Sequence, residues 1–137
     1  MSKVSSNVIS NSFALYATIA AGGAMGACLR YFISQLALQW FGKGFPFGTL
    51  AVNILGSLML GVVYGLIESE YVAGHPWRTF LSIGFIGALT TFSTFSLDTL
   101  LLMQQGAWMK AVGNILLNLL CCLLAAWLGI KLIINKG

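Results

Sequence analysis

Charge is what this sequence has least of. Only 7% of its 137 residues are Asp, Glu, Lys or Arg, and 58% are hydrophobic, where an ordinary soluble domain carries about 25% charged residues. That deficit excludes a soluble fold. Acidic residues number 3 and histidine 1, so the chain offers no carboxylate pair, no His/Cys metal spacing and no nucleophile beside a base. The sole histidine, His75, lies in a short loop before Pro76, and an enzyme is not expected. The 3 cysteines, Cys28, Cys121 and Cys122, all fall inside apolar segments. Their odd number argues against a disulfide framework, and adjacent helical residues point to different sides, so they are small packing residues. The 7 basic residues behind the +4 net charge are scattered and make no patch; lipid headgroups, not nucleic acid, are their expected partners.

What the chain does have is long uncharged runs. There are 24 residues between Lys43 and Glu68, 19 between Arg78 and Asp98, and 20 between Lys110 and Lys131. Each suffices to cross a bilayer, since ~20 helical residues at ~1.5 Å apiece span ~30 Å of hydrocarbon. A fourth run from Phe13 to Leu38 contains only Arg30 and is too long for the apolar core of a cleavable signal, so it belongs to the mature structure. The pattern predicts an all-α membrane protein with helices over 13–39, 47–67, 80–103 and 111–134. A polar N-terminal tail over 1–12 precedes a single four-helix domain over 13–137.

With four spans both termini share one side, which places Lys3, Arg78, Lys131 and Lys136 opposite Lys43, Lys110 and Arg30. Positive charge normally fixes orientation by a clear cytoplasmic excess, and here the excess is small. Two outcomes fit: one weakly set orientation, or insertion both ways up as an antiparallel homodimer with any axial site built twice.

The polar residues gather in three places. Thr90, Thr91, Ser93, Thr94 and Ser96 put five hydroxyls within seven residues, inside a segment where polar groups persist only against protein or a wet cavity. Thr49, Asn53 and Ser57 recur at every fourth position of helix two, followed by Gly61 and Gly65, and Asn114, Asn118 and Cys122 do the same on helix four. Such spacing forms a stripe along one side of a helix. Embedded asparagines serve either as interhelical hydrogen-bond glue or as the wall of a permeation path; together with the hydroxyl cluster they favour a path. Gly84 and Gly87 before two threonines predict a break in helix three near Gly87, with close helix packing as the plainer use of both glycines. Gly22 and Gly26 read as a packing pair.

Phe92 and Phe95 are set among hydroxyls, and the positive edge of an aromatic ring can stabilise a small anion without trapping it. Lipid contact is the commoner use of a membrane phenylalanine. Arg30 either snorkels to headgroups or draws anions into a vestibule, and Asp98 caps, pairs with a basic residue or steers ions.

These residues carry a resemblance. The string from Gly84 through Ala88-Leu89-Thr90-Thr91-Phe92-Ser93-Thr94-Phe95-Ser96, preceded by Gly48-Thr49-Leu50-Ala51-Val52-Asn53 and by Gly26-Ala27-Cys28-Leu29-Arg30-Tyr31, closely resembles the Fluc (CrcB) fluoride channels. The match runs from helix one to helix four. It implies passive, fluoride-selective export from the cytoplasm that lowers fluoride toxicity, through a dual-topology antiparallel homodimer with two pores in a bacterial inner membrane. Carried over, Phe92 and Phe95 meet fluoride with their ring edges and Asn53 hydrogen-bonds it. Thr49, Ser93 and Thr94 lie nearby, and Arg30 sits towards a vestibule. Gly87 and Thr90 supply backbone carbonyls to one structural sodium ion (Na+) at the dimer interface. Helix four departs from the family pattern, with Asn114, Asn118 and Cys122 where tyrosine and serines are usual, so Asn114 and Asn118 enter the anion path by position only.

Two rivals share parts of this reading. A coupled exporter of the small multidrug-resistance type uses the same four-span dimer but depends on an embedded glutamate, for which only Asp98 stands near a span. A structural subunit of a larger membrane complex would transport nothing.

Overall fold

A computed structural model describes residues 2–69 and 75–135, with side-chain surroundings from Asn11 onward and from Pro76 onward in the second stretch. Lys136, counted above in the charge balance, lies outside the described residues, as does the side chain of Lys3. The elements are α1 (Ser2–Phe41), α2 (Phe47–Glu68), α3 (His75–Thr79), a π-helical stretch (Phe80–Ile86), α4 (Gly87–Leu89), α5 (Phe92–Gln104) and α6 (Trp108–Ile134). Among the described residues, four helical lengths are long and apolar enough to cross a membrane: Asn11–Phe41, Phe47–Glu68, Pro76–Gln104 and Trp108–Ile134. The chain is a multi-pass membrane protein. The second and fourth spans begin and end within a few residues of expectation, whereas the backbone of α1 is helical from Ser2, through the polar lead set apart as a tail.

Two of the described turns are made where helix propensity is lowest. Gly42 (φ 71°) and Gly106 (φ 75°) hold left-handed backbone at the ends of α1 and α5, a conformation that costs other residues a Cβ clash. The Lys110 ammonium donates to the Gly44 carbonyl at 2.9 Å, which ties those two turns together at one end of the bundle.

Inside the bundle, glycine sets the helix spacing. A Cβ at Gly61 would strike the Ala126 carbonyl, and one at Gly129 the Leu58 carbonyl; α2 and α6 therefore run parallel with backbones in contact. Gly22 and Gly26 likewise face the carbonyls of Phe80 and Phe85, and Gly84 faces Ile19 O at 2.8 Å from its ideal Cβ. These are the close approaches expected of small residues between membrane helices. Two of the sequence's glycine readings are thereby resolved: Gly22, Gly26 and Gly84 are packing residues, and Gly87 is not, because a Cβ there would meet only Ser82 O at 3.5 Å.

The break in the third span falls at Thr90 and Thr91, three residues beyond Gly87. Gly87 keeps helical angles (φ −60°, ψ −35°). Thr90 (φ −79°, ψ 155°) and Thr91 (φ −152°, ψ 114°) are extended. Thr90 still ends the preceding helix, its N–H and hydroxyl both donating to Ile86 O at 3.0 and 3.1 Å. The Thr91 N–H, next in line to continue the ladder, donates instead to Asn53 Oδ1 at 2.8 Å. Glycine flexibility therefore does not make the break; a side chain from α2 does.

Candidate functional site

The helix restarts at Phe92, directly after the two extended residues. Thr91 is the N-cap of α5: its Oγ1 accepts from the Thr94 N–H at 3.2 Å, donates to Thr94 Oγ1 at 2.9 Å and lies 3.3 Å from Ser93 Oγ. An N-cap hydroxyl of this kind satisfies one of the donors a helix start leaves open. Ser93 and Thr94, expected in the anion path, are exposed on this first turn. Their hydroxyls face Thr91 as well as the outside.

Asn53 holds the break in place. Besides accepting from the Thr91 N–H, its Nδ2 donates to Thr91 O at 3.2 Å and to Asn118 Oδ1 at 2.9 Å. Both amide hydrogens are thus engaged within the chain. From Asn118 the polar contacts continue inward: its Nδ2 donates to Asn114 O and to Asn114 Oδ1, each at 3.0 Å. The Asn114 Nδ2 donates to Thr99 Oγ1 at 2.9 Å, and the Thr99 hydroxyl to Phe95 O at 2.8 Å. Among the described residues no buried side-chain nitrogen or oxygen is left without a partner, as the cost of an unsatisfied polar group in an apolar interior requires.

Two cavities flank this polar core. The larger, about 520 Å³, is lined by Asn53, Ser57, Thr90, Thr91, Phe92, Phe95, Asn118 and Cys122 with apolar residues of α2, α6 and the π-helical stretch. Ser82 and Gly87 border it as well. Among the described residues no basic side chain lines it, and Phe92 is 77% exposed. The Phe92 and Phe95 rings are tilted by 50° with centroids 5.4 Å apart. The smaller cavity, about 320 Å³, lies at the α1–α2 turn and contains Lys43, Gln35, Gln105, Thr49 and Asp98. There the Thr49 hydroxyl donates to Asp98 Oδ2 at 2.7 Å.

The sequence reading is redistributed by this geometry. Asn53, Phe92, Phe95 and Asn118 come together on one cavity with Thr90 and Gly87. Thr49 sits on the other, and Arg30, half-buried on α1, lines neither. Asn114 is 0% exposed and also lines neither. Thr99, which drew no attention in the sequence, completes the core. Its only sequence signal is a hydroxyl four residues after Phe95, on the same side of an apolar helix.

The comparisons agree with one another. Residues 17–130 match the family described as CrcB-like protein, Camphor Resistance (CrcB). A protein of Pseudoalteromonas translucida (strain TAC 125) named fluoride-specific ion channel FluC is 57% identical over 119 residues, covering 87% of this chain and 99% of its own. Proteins of the same name from Vibrio cholerae (51% over 118 residues; 86% of this chain, 94% of the relative) and Vibrio parahaemolyticus (51% over 124; 90% and 98%) are similar at almost the same level. With the family match spanning nearly the whole bundle, and relatives this similar over almost their full length, the chain belongs to the CrcB family.

Proposed function

We propose that this chain is a passive, fluoride-selective channel of a bacterial inner membrane, working as an antiparallel homodimer with two pores. The observation that carries the reading is the cavity on which Asn53, Phe92 and Phe95 converge at a helix break, with no basic side chain along it. The relatives' name supplies the ion.

Fluoride is small and strongly hydrated, so a selective path has to replace its water with converging donors and positive ring edges, and no group may hold it so tightly that it cannot leave. Phe92 and Phe95 offer ring edges. The start of α5 adds the positive end of a helix dipole, and Ser93 and Thr94 add hydroxyls. Asn53 donates to the ion by exchanging the longer of its two donated bonds, the one to Thr91 O at 3.2 Å, for a bond to fluoride. Thr49 and Asp98 act at the cavity towards the membrane surface, and Arg30 raises the local anion concentration in the vestibule. The membrane potential, negative inside, drives the anion outward.

The open side of the larger cavity is where the second copy sits in this reading. Phe92 is 77% exposed there, and Gly87 is exposed on the same cavity. Residues 87–90 end a helix, and the last carbonyls of a helix lack intrahelical partners and carry the negative end of its dipole. That donor chemistry fits a hard cation. The carbonyls of Gly87 and Thr90 from both copies would hold a sodium ion, which would neutralise the converging helix ends and lock the two chains together.

The test is fluoride release from liposomes containing the purified chain, read with an electrode after valinomycin permits potassium counterflow. Rapid fluoride release with no chloride release is the expected result. Absence of both, from protein shown to be folded and dimeric, overturns the reading.

A further inference from the structure

The polar core has a direction. Thr91 N–H donates to Asn53, Asn53 to Asn118, Asn118 to Asn114, Asn114 to Thr99, and Thr99 to Phe95 O: five bonds, all pointing the same way. The strap leaves α5 at its N-cap, passes through α2 and α6, returns to α5 at Thr99 and ends on the carbonyl of Phe95, one turn beyond the N-cap.

Each orientation follows from the one before it. The Thr91 N–H needs an acceptor, so Asn53 turns its Oδ1 to it and its Nδ2 to Asn118. The Asn118 oxygen faces Asn53, so its Nδ2 faces Asn114. At the far end Thr99 gives its only hydrogen to Phe95 O and offers a lone pair, which only the Nδ2 of Asn114 can use. Turning any one amide over would set donor against donor or acceptor against acceptor in a buried site. Asn114 and Thr99 are both buried, and neither lines the larger cavity.

We propose, resting on the channel reading above, that Thr99 and Asn114 are positioning residues for the anion path: they hold Asn118 with its oxygen towards Asn53, so that the Asn53 amide, turned by the Thr91 backbone, stays seated at the cavity, and neither of them touches the ion. The inference assigns Asn114 a different role from the anion contact suggested by its position in the sequence. It also separates the two bonds that Asn53 donates. The bond to Asn118 belongs to the strap and persists, while the bond to Thr91 O is free to exchange.

Thr99→Val keeps the shape of the side chain and removes the hydroxyl. In the liposome assay it is expected to raise the fluoride concentration for half-maximal release and to lower the rate about tenfold at low fluoride, whereas Thr99→Ser restores both. A loss of packing alone would not be repaired by serine, which lacks the methyl group. A second readout is the side-chain amide of Asn53 in the 15N spectrum of the full chain in micelles, identified by its disappearance in Asn53→Asp. Thr99→Val should shift it across three intervening hydrogen bonds, and Leu100→Val on the exposed side of the same helix should not. Should Thr99→Val fail to fold, Asn114→Asp, which keeps shape and acceptor but loses the donor to Thr99, undergoes the same two measurements.

Unchanged release and an unmoved amide in Thr99→Val overturn the proposal, as does a loss that serine does not restore. If the unaltered chain releases no fluoride, the channel reading fails and this proposal with it. Release by the unaltered chain separates the two failures.

Discussion

The side chain of Asn53 and the backbone of Thr91 exchange two hydrogen bonds, at 2.8 and 3.2 Å, across 38 residues of sequence. An amide side chain here does what the preceding helical turn would otherwise do for a backbone N–H at membrane depth. This one pairing stabilises the break, aims the new helix and brings Phe92 and Phe95 to the cavity.

Removing that side chain has two separable effects. Asn53→Ala leaves the N–H of Thr91, a residue that is 7% exposed, without its partner, at a cost of about 1–3 kcal/mol, and should lower the midpoint of thermal unfolding in detergent. Asn53→Asp keeps an acceptor for the Thr91 N–H but sets a carboxyl oxygen against Thr91 O and Asn118 Oδ1, so it should also unfold earlier than the unaltered chain and release little fluoride. An Asn53→Ala variant as stable as the unaltered chain would detach Asn53 from the break.

The phenylalanines should matter to flux and little to folding of the single chain. With Phe92 77% exposed, Phe92→Ile is expected to leave helical circular dichroism intact while fluoride release falls to background, and Phe95→Ile should do likewise. Near-normal release from the double variant would take the rings out of the mechanism.

Glycine substitutions sort packing from assembly. Gly26→Ala drives a methyl into the Phe85 carbonyl, while Gly23→Ala meets nothing within 4 Å. The first should destabilise by about 1–3 kcal/mol through overpacking, and the second, a helix former replacing glycine, should be neutral or slightly stabilising. Thermal unfolding of the pair checks this directly.

Gly87→Leu tests the proposed dimer. The side chain would enter open space within one chain, so helical content is expected to be unchanged. The same side chain would obstruct a partner seated on this side, and the dimer fraction in light scattering should drop. An undiminished dimer would move the interface elsewhere.

Much of this protein was legible before folding. The uncharged runs between Lys43, Glu68, Arg78, Asp98, Lys110 and Lys131 alone determine four spans, because the bilayer sets a length and excludes charge. The four-residue spacing of Thr49, Asn53 and Ser57, and of Asn114 and Asn118, determines that each helix has a polar side, because helical periodicity is a local property. Tertiary structure decided which of these groups meet. The break lies at Thr90 and Thr91 and not at Gly87, because the partner that releases the Thr91 N–H from the helix comes from another span. Asn114 is buried and Asn118 borders the cavity, because Gly61 and Gly129 let α2 and α6 touch backbone to backbone and so set the depth of every residue between them. A stripe on one helix is a local fact, whereas the direction of a hydrogen-bond strap through three helices exists only once those helices are packed.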